Sequence, residues 1–108
     1  MNILWICTDQ QRFDTLGCTG NEWVHTPNLD RLASEGVLFE NAYAQSPVCA
    51  PSRGSFLTGR YPRTCGPRQN GQDIDAKERL LPRILADNGY YCGLAGKLHL
   101  SACHDNTG

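Results

Sequence analysis

The feature that most constrains the fold is an apolar segment at the start of the chain. Residues 2–8 (NILWICT) are nearly all apolar and β-prone, and Asp9 and Gln10 follow them directly. A short segment that is apolar on both faces is typical of a strand buried in a parallel sheet. Residues 37–43 and 90–95 are also β-prone, and the sequence therefore predicts three strands.

Helical patterns separate the predicted strands. Thr26 and Pro27 indicate an N-cap followed by proline in the first turn, where its missing N–H costs nothing. The predicted helices cover residues 27–35, 52–58 and 81–87, and they end at Gly36, Gly59 and Asn88-Gly89. Residues 60–75 are rich in glycine, proline and arginine and are predicted as an irregular loop. This order predicts an α/β fold with a parallel or mixed sheet flanked by helices.

The composition limits the classes of protein to which the chain can belong. Its 108 residues are 40% hydrophobic and 19% charged, which fits one globular domain. A net charge of −1 argues against nucleic acid or an acidic membrane as a partner. No apolar run approaches the roughly 20 residues of a membrane span. No signal peptide is recognisable, so we expect a cytoplasmic protein, or a periplasmic one if a leader has been removed.

Six cysteines raise the question of disulfides or a bound metal. The apolar segments around Cys7 and Cys92, and the lack of a leader, predict that most of the cysteines are reduced thiols that are buried or half-buried. No C-x-x-C pair indicates structural zinc. Cys103 and His104 could hold a metal together with Cys65 or Cys92, but such spacing is common by chance.

Positive charge is concentrated in one part of this nearly neutral chain. Residues 49–68 contain four arginines and no acidic residue. This cationic island favours a small anionic ligand over a polyanion. The alternative interpretation is a solvated, arginine-rich loop.

Polar residues follow each predicted strand. Asp9 and Gln10 follow the first, residues 49–53 lie beyond the second, and Lys97 and His99 follow the third. Ligands of open α/β sheets bind beyond the carboxyl ends of the strands. We therefore expect a catalytic crevice at this edge of the sheet.

The most specific string in the chain begins at Cys49 and reads CAPSR, followed by LTGR at residues 57–60. It resembles the signature of the type I sulfatases, C-x-P-S-R-x-x-x-L-T-G. Four further stretches agree in order and spacing, at residues 2–9, 26–33 (TPNLDRLA), 39–42 and 96–99 (GKLH). The resemblance implies the N-terminal portion of an alkaline-phosphatase-like three-layer sandwich. Residues 1–108 would then be the N-terminal part of a sulfatase catalytic domain, with the remainder absent.

The resemblance also implies the nucleophile and the metal. In that family a formylglycine-generating enzyme oxidises the motif cysteine, here Cys49, and a hydroxyl of the hydrated aldehyde attacks sulfur. Asp9, Gln10 and the residue formed from Cys49 would bind Ca²⁺, or else Mg²⁺ or Mn²⁺. Two acids are commoner than an Asp-Gln pair in this family; Gln10 keeps an oxygen ligand but loses a charge.

Three further residues acquire roles by the same resemblance. Arg53 would hold the formylglycine hydroxyl, Lys97 would bridge it to the sulfate, and His99 would bond the hydroxyl and relay a proton. In an extended chain Lys97 and His99 would point to the same side. Without the resemblance, Arg53 would be interpreted as a member of a surface salt bridge, and Lys97 and His99 as ordinary surface residues. We interpret Asp14 and His25 as structural and leave His104 open.

Three functions remain open at this point. The first is a sulfuric ester hydrolase acting on a small sulfated substrate. The second is a phosphonate or phosphate ester hydrolase of the same superfamily, and the third is a truncated, non-catalytic paralogue. We expect residues 1–108 alone to be inactive, and to expose apolar surface unless the missing C-terminal part or self-association covers it.

Overall fold

The structure is a computed structural model, and it describes residues 1–101. These residues form two compact units, one covering Met1–Tyr43 and the other beginning at Ala44. The first unit contains a short 3₁₀ helix at Gly17–Thr19 and helix α1 at Pro27–Glu35. The second unit contains helices α2 at Cys49–Thr58, α3 at Pro62–Cys65 and α4 at Leu81–Asp87.

The three predicted strands are not formed within residues 1–101. Their apolar side chains are exposed instead: Leu4 is 85% exposed, Phe39 is 75% exposed and Tyr91 is fully exposed. A strand of a parallel sheet requires at least one hydrogen-bonded neighbouring strand and cover on both faces. The apolar core of the described part is too small to supply that cover, since its buried apolar residues are Ala50, Pro51, Cys65, Pro67 and Leu100.

Helix α1 begins and ends where the sequence predicts. Pro27 occupies the first turn, and Gly36 follows the last helical residue with a φ of −119°, outside the left-handed region. The Thr26 hydroxyl accepts a hydrogen bond from the Gly17 N–H (2.8 Å) and donates one to Asp30 Oδ1 (3.0 Å). Asp30 Oδ1 also accepts from the Cys18 N–H (2.7 Å). Polar bonds therefore connect the start of α1 to the preceding 3₁₀ helix.

Helix α2 begins at Cys49, earlier than the predicted start at Ser52. The prediction placed the helix after Pro51, but proline is tolerated within the first turn because its absent N–H would have no helical partner there. The C-terminus agrees with the prediction. Gly59 has a φ of +70°, and its N–H donates to the Ser55 carbonyl at 2.8 Å.

Helix α3 corrects the prediction of a fully irregular loop over residues 60–75. It carries the buried Cys65 against α2 at Gly54. A Cβ atom added to Gly54 would lie 3.1 Å from Pro67 Cγ and 3.3 Å from Cys65 Sγ, so a larger residue would require these neighbours to shift by a few tenths of an ångström. The third predicted helix is confirmed as α4, and Asn88 caps its end by donating from Nδ2 to the Ile84 carbonyl (2.8 Å).

The cysteines within residues 1–101 are free thiols, as predicted. Cys18, Cys49 and Cys65 are half-buried or buried, whereas Cys7 and Cys92 are exposed. The prediction of burial was wrong for these two because their segments do not form covered strands. In the same part of the chain, no helix is both long enough and apolar enough to cross a membrane.

Candidate active site

Cys49 is the first residue of α2, and the N–H groups around it have separate partners. The Val48 N–H donates to Ser46 Oγ (3.1 Å), and the Ala50 N–H donates to Asn70 Oδ1 (3.0 Å). Pro51 has no N–H, and the helical bonds begin with the Ser52 N–H to the Val48 carbonyl (3.1 Å). The half-buried Cys49 thus lies at the positive end of the helix, where anionic groups are stabilised.

Arg53 lies one turn along α2 and is buried, with 8% of its surface exposed. Its Nη1 donates to the Lys97 carbonyl oxygen at 2.6 Å, across 44 residues of sequence. This burial argues against the alternative interpretation of Arg53 as a member of a surface salt bridge. The bond brings two of the predicted polar clusters, the CAPSR helix and the segment of Lys97 and His99, into contact.

The segment that carries Lys97 and His99 is fixed at two carbonyl groups. Arg53 holds the Lys97 carbonyl, and the Ile74 N–H donates to the carbonyl of the buried Leu100 (3.0 Å). The extended geometry predicted here is wrong at His99, which has a φ of +55°. Consequently the two side chains differ in environment: Lys97 is exposed and His99 is half-buried.

His99 presents a buried polar atom. Its Nδ1 lies away from solvent and has no hydrogen-bond partner within residues 1–101. Buried polar atoms in native proteins are nearly always hydrogen-bonded. Within residues 1–101 this nitrogen is therefore an exception to that rule.

Asp9 and Gln10 belong to the first unit and are exposed. Gln10 has a φ of +47°, so the chain turns directly after the apolar segment. Carboxylate and amide oxygens are suitable ligands for a hard divalent cation. Ca²⁺ takes six to eight such oxygen ligands. Within residues 1–101 no three His, Cys, Asp or Glu residues cluster as a metal site. Asp9 and Gln10 thus suit the metal chemically but supply only part of its ligands.

Asp14 and His25 have predicted structural roles, and His104 has no predicted role. Asp14 pairs with Arg12, and the hydrogen bond from this guanidinium holds the pKa of the Asp14 carboxyl below its ordinary value. This pairing agrees with a structural role for Asp14. His25 is exposed in the first unit. Cys103 and His104 lie outside the described residues.

The four arginines of the cationic island differ in burial and in the groups that they contact. Arg60 Nε lies 3.4 Å from Glu78 Oε2, whose side chain is almost buried. Arg63 and Arg68 are exposed, as the alternative of a solvated loop predicts. Arg53 is the buried member of the island, and it is the one that contacts the segment of Lys97 and His99.

Asn70 is a site residue that sequence reasoning missed. Residues 60–75 were predicted only as an irregular loop, yet the Asn70 side chain bonds the amide that follows Cys49. The Asn70-Gly71 pair signals a turn, and Gly71 has a φ of +83°. No local signal reveals the contact itself, because the two partners lie 20 residues apart.

Comparison with known proteins identifies the family. The model of the family described as Sulfatase matches residues 1–108 of the chain. The chain belongs to the sulfatase family. This membership confirms the resemblance that was inferred from the C-x-P-S-R motif and the four collinear stretches.

Three similar sulfatases illustrate the extent of the match. The chain is 44% identical over 99 residues to an ulvan-active sulfatase of Formosa agariphila, which covers 92% of this chain and 19% of the relative. It is 37% identical over 118 aligned residues to human steryl-sulfatase, covering 98% of this chain and 20% of the relative. It is 34% identical to an N-acetylglucosamine-6-O-sulfatase of Bacteroides thetaiotaomicron, covering 92% and 18%. The chain therefore spans about a fifth of the length of these relatives.

Proposed function

We propose that the complete protein is a sulfuric ester hydrolase and that residues 1–108 are the N-terminal part of its catalytic domain. The observation that carries this proposal is the bond from Arg53 Nη1 to the Lys97 carbonyl. It places in contact the two segments that carry the motif residues of the sulfatase family. The relatives named above are sulfatases, which supports the same reaction class.

The nucleophile in this proposal is a formylglycine made from Cys49 by a formylglycine-generating enzyme. This group supplies an oxygen nucleophile in place of a thiol. Cys49 suits the role because it is half-buried at the N-terminus of α2 within an intact C-x-P-S-R motif. The helix dipole there favours the negative charge of an approaching sulfate ester.

Three cationic or polar side chains would stabilise the charge that develops on the sulfate oxygens. Arg53 is buried and held by its hydrogen bond to the Lys97 carbonyl. Its charge is therefore already in place, and little free energy is spent on reorganising it during the reaction. Lys97 is exposed beside it and can meet an incoming anion. His99 is half-buried and would bond the formylglycine hydroxyl and relay a proton, as the resemblance to the family implies.

Asp9, Gln10 and residue 49 are the proposed protein ligands of Ca²⁺, with Mg²⁺ or Mn²⁺ as alternatives. When bound, the cation would supply electrostatic stabilisation of the anionic ester. The remaining ligands would come from the rest of the complete protein. We further propose that residues 2–8, 37–43 and 90–95 form the parallel sheet there, since their apolar side chains are exposed in the described structure.

The second candidate function is hydrolysis of phosphonate or phosphate esters. The pair of Asp9 and Gln10 is compatible with it, since Gln10 stands where an acid is commoner among sulfatases. Removing one negative charge from the ligand set would suit a dianionic phosphate monoester, whereas a phosphonate monoester carries the same single charge as a sulfate ester. The pair of Lys97 and His99, in contrast, favours sulfate.

An assay of the complete protein separates these functions. We expect kcat/KM for p-nitrophenyl sulfate to exceed that for phenyl p-nitrophenylphosphonate by about tenfold or more, with an identical leaving group. The Cys49→Ala variant, purified in parallel, measures contaminating activity. A preference for the phosphonate would support the second candidate. Inactivity toward both esters would support the non-catalytic paralogue.

A further inference from the structure

We propose that Asn70 is a positioning residue for the nucleophile. Its side-chain oxygen fixes the first turn of α2 through the Ala50 N–H and thereby fixes the place of residue 49. The inference rests on the proposed function, because it concerns the same nucleophile. In this role Asn70 holds the start of α2 in place and does not contact the substrate.

The start of α2 needs this support because the local sequence provides little of it. The N-cap residue is Val48, which has no side-chain acceptor and ranks among the poorest N-caps. Pro51 has no N–H, so the first turn has one backbone donor fewer. The Ser46 hydroxyl oxygen accepts a hydrogen bond from the Val48 N–H, which precedes the helix. The Ala50 N–H therefore depends on an acceptor from elsewhere in the chain, and Asn70 provides it.

The loop that carries Asn70 is itself held against α2. Pro67 is buried and packs on Gly54, and the Asp75 N–H donates to the Cys65 carbonyl at 3.0 Å. Within the loop, the Arg68 N–H donates to Gln72 Oε1 at 2.8 Å. The acceptor oxygen is thus presented by a segment anchored on both sides of Asn70.

Fixing the Ala50 amide also fixes Cys49, because one planar peptide unit contains both the Ala50 N–H and the Cys49 carbonyl carbon. The Cα atom of Cys49 belongs to the same plane. Loss of the bond would allow this unit to rotate and would move the side chain of residue 49 relative to Arg53. A displacement on the order of 1 Å in an active site can cost about 10²-fold in rate.

Three variants of the complete protein test the proposal. Asn70→Ala removes the acceptor, whereas Asn70→Asp retains an oxygen acceptor on a side chain of the same length. Asn88→Ala is the matched control, because Asn88 also bonds a backbone group at a helix end, the Ile84 carbonyl of α4. Rates are expressed per modified residue 49, measured by mass spectrometry, so that incomplete modification does not affect the comparison.

We expect Asn70→Ala to lower kcat for p-nitrophenyl sulfate by about tenfold, with KM changed by less than about twofold. Asn70→Asp should recover kcat to within about threefold of the unsubstituted protein, and Asn88→Ala should leave it unchanged. Unchanged kcat in Asn70→Ala would overturn the proposal. It would equally be overturned if Asn70→Asp were as slow as Asn70→Ala, because the amide nitrogen would then be the group that matters.

Hydrogen exchange of the Ala50 amide provides a measurement that needs no activity. We expect this amide to exchange about fivefold faster in Asn70→Ala, the effect of losing a cap worth about 1 kcal/mol. Asn70→Asp should restore slow exchange, and Asn88→Ala should not affect it. Unaltered exchange in Asn70→Ala would refute the bond on which the proposal depends. If the unsubstituted protein hydrolysed no sulfate ester, the proposed function would fail. The exchange rate of the Ala50 amide would still show whether Asn70 fixes the first turn of α2.

Discussion

Replacing Cys49 with alanine is expected to lower the kcat of the complete enzyme toward p-nitrophenyl sulfate by about 10⁴-fold or more. The reason is chemical, because alanine cannot be converted to formylglycine and offers no nucleophilic atom. The charges of Arg53 and Lys97 would remain and would support only the residual reaction with water. Initial rates at saturating substrate measure the effect directly.

Cys92→Ala is the control for this substitution, because it removes another accessible thiol from the second unit. It should leave kcat unchanged. A Cys49→Ala protein that kept most of its activity would show that the nucleophile lies elsewhere. Equal losses in the two variants would indicate a general requirement for thiols rather than a special role for Cys49.

Replacement of Lys97 or His99 with alanine is expected to lower kcat by about 10²-fold in each case, the usual effect of removing a preorganised partner of transition-state charge. Lys97 lies on the segment that Arg53 holds, and the half-buried His99 lies on the same segment. Both effects should appear in kcat more than in KM, because the charge on the sulfate oxygens changes during the reaction. Steady-state kinetics of the complete protein provide the comparison.

Matched controls separate chemistry from damage to the fold. His25→Ala replaces an exposed histidine of the first unit, and Lys77→Ala replaces an exposed lysine of the second. Both should retain kcat within about threefold, as surface substitutions away from a site normally do. Comparable losses in His25→Ala and His99→Ala would mean that unfolding had been mistaken for loss of catalysis.

The helices were largely predictable because their signals are local. Proline in the first turn and a glycine after the last turn defined α1, and proline with Asn88-Gly89 defined α4. The start of α2 was missed because Pro51 was taken as preceding the helix, although the first turn tolerates it. The strands depend on neighbours that the described residues do not provide, so β-propensity alone could not establish a sheet.

The sequence predicted the separate segments of the candidate site but not the contacts between them. The motif from Cys49 to Arg53 and the segment of Lys97 and His99 could each be recognised in the sequence. Their contact could not, since the bond from Arg53 to the Lys97 carbonyl joins residues 44 positions apart. The same holds for Asn70, whose importance depends on a single long-range hydrogen bond to Ala50. The left-handed backbone of His99 also has no sequence signal, because a residue other than glycine rarely adopts it.

The mass of residue 49 in active protein tests the central claim most directly. Trypsin releases this residue in the peptide of residues 32–53, which ends at Arg53. In complete protein purified from its native host, we expect the cysteine sulfur to be replaced by oxygen with the loss of two hydrogens. The modified fraction should rise in proportion to specific activity across preparations. Unmodified Cys49 in fully active protein would contradict the proposed nucleophile.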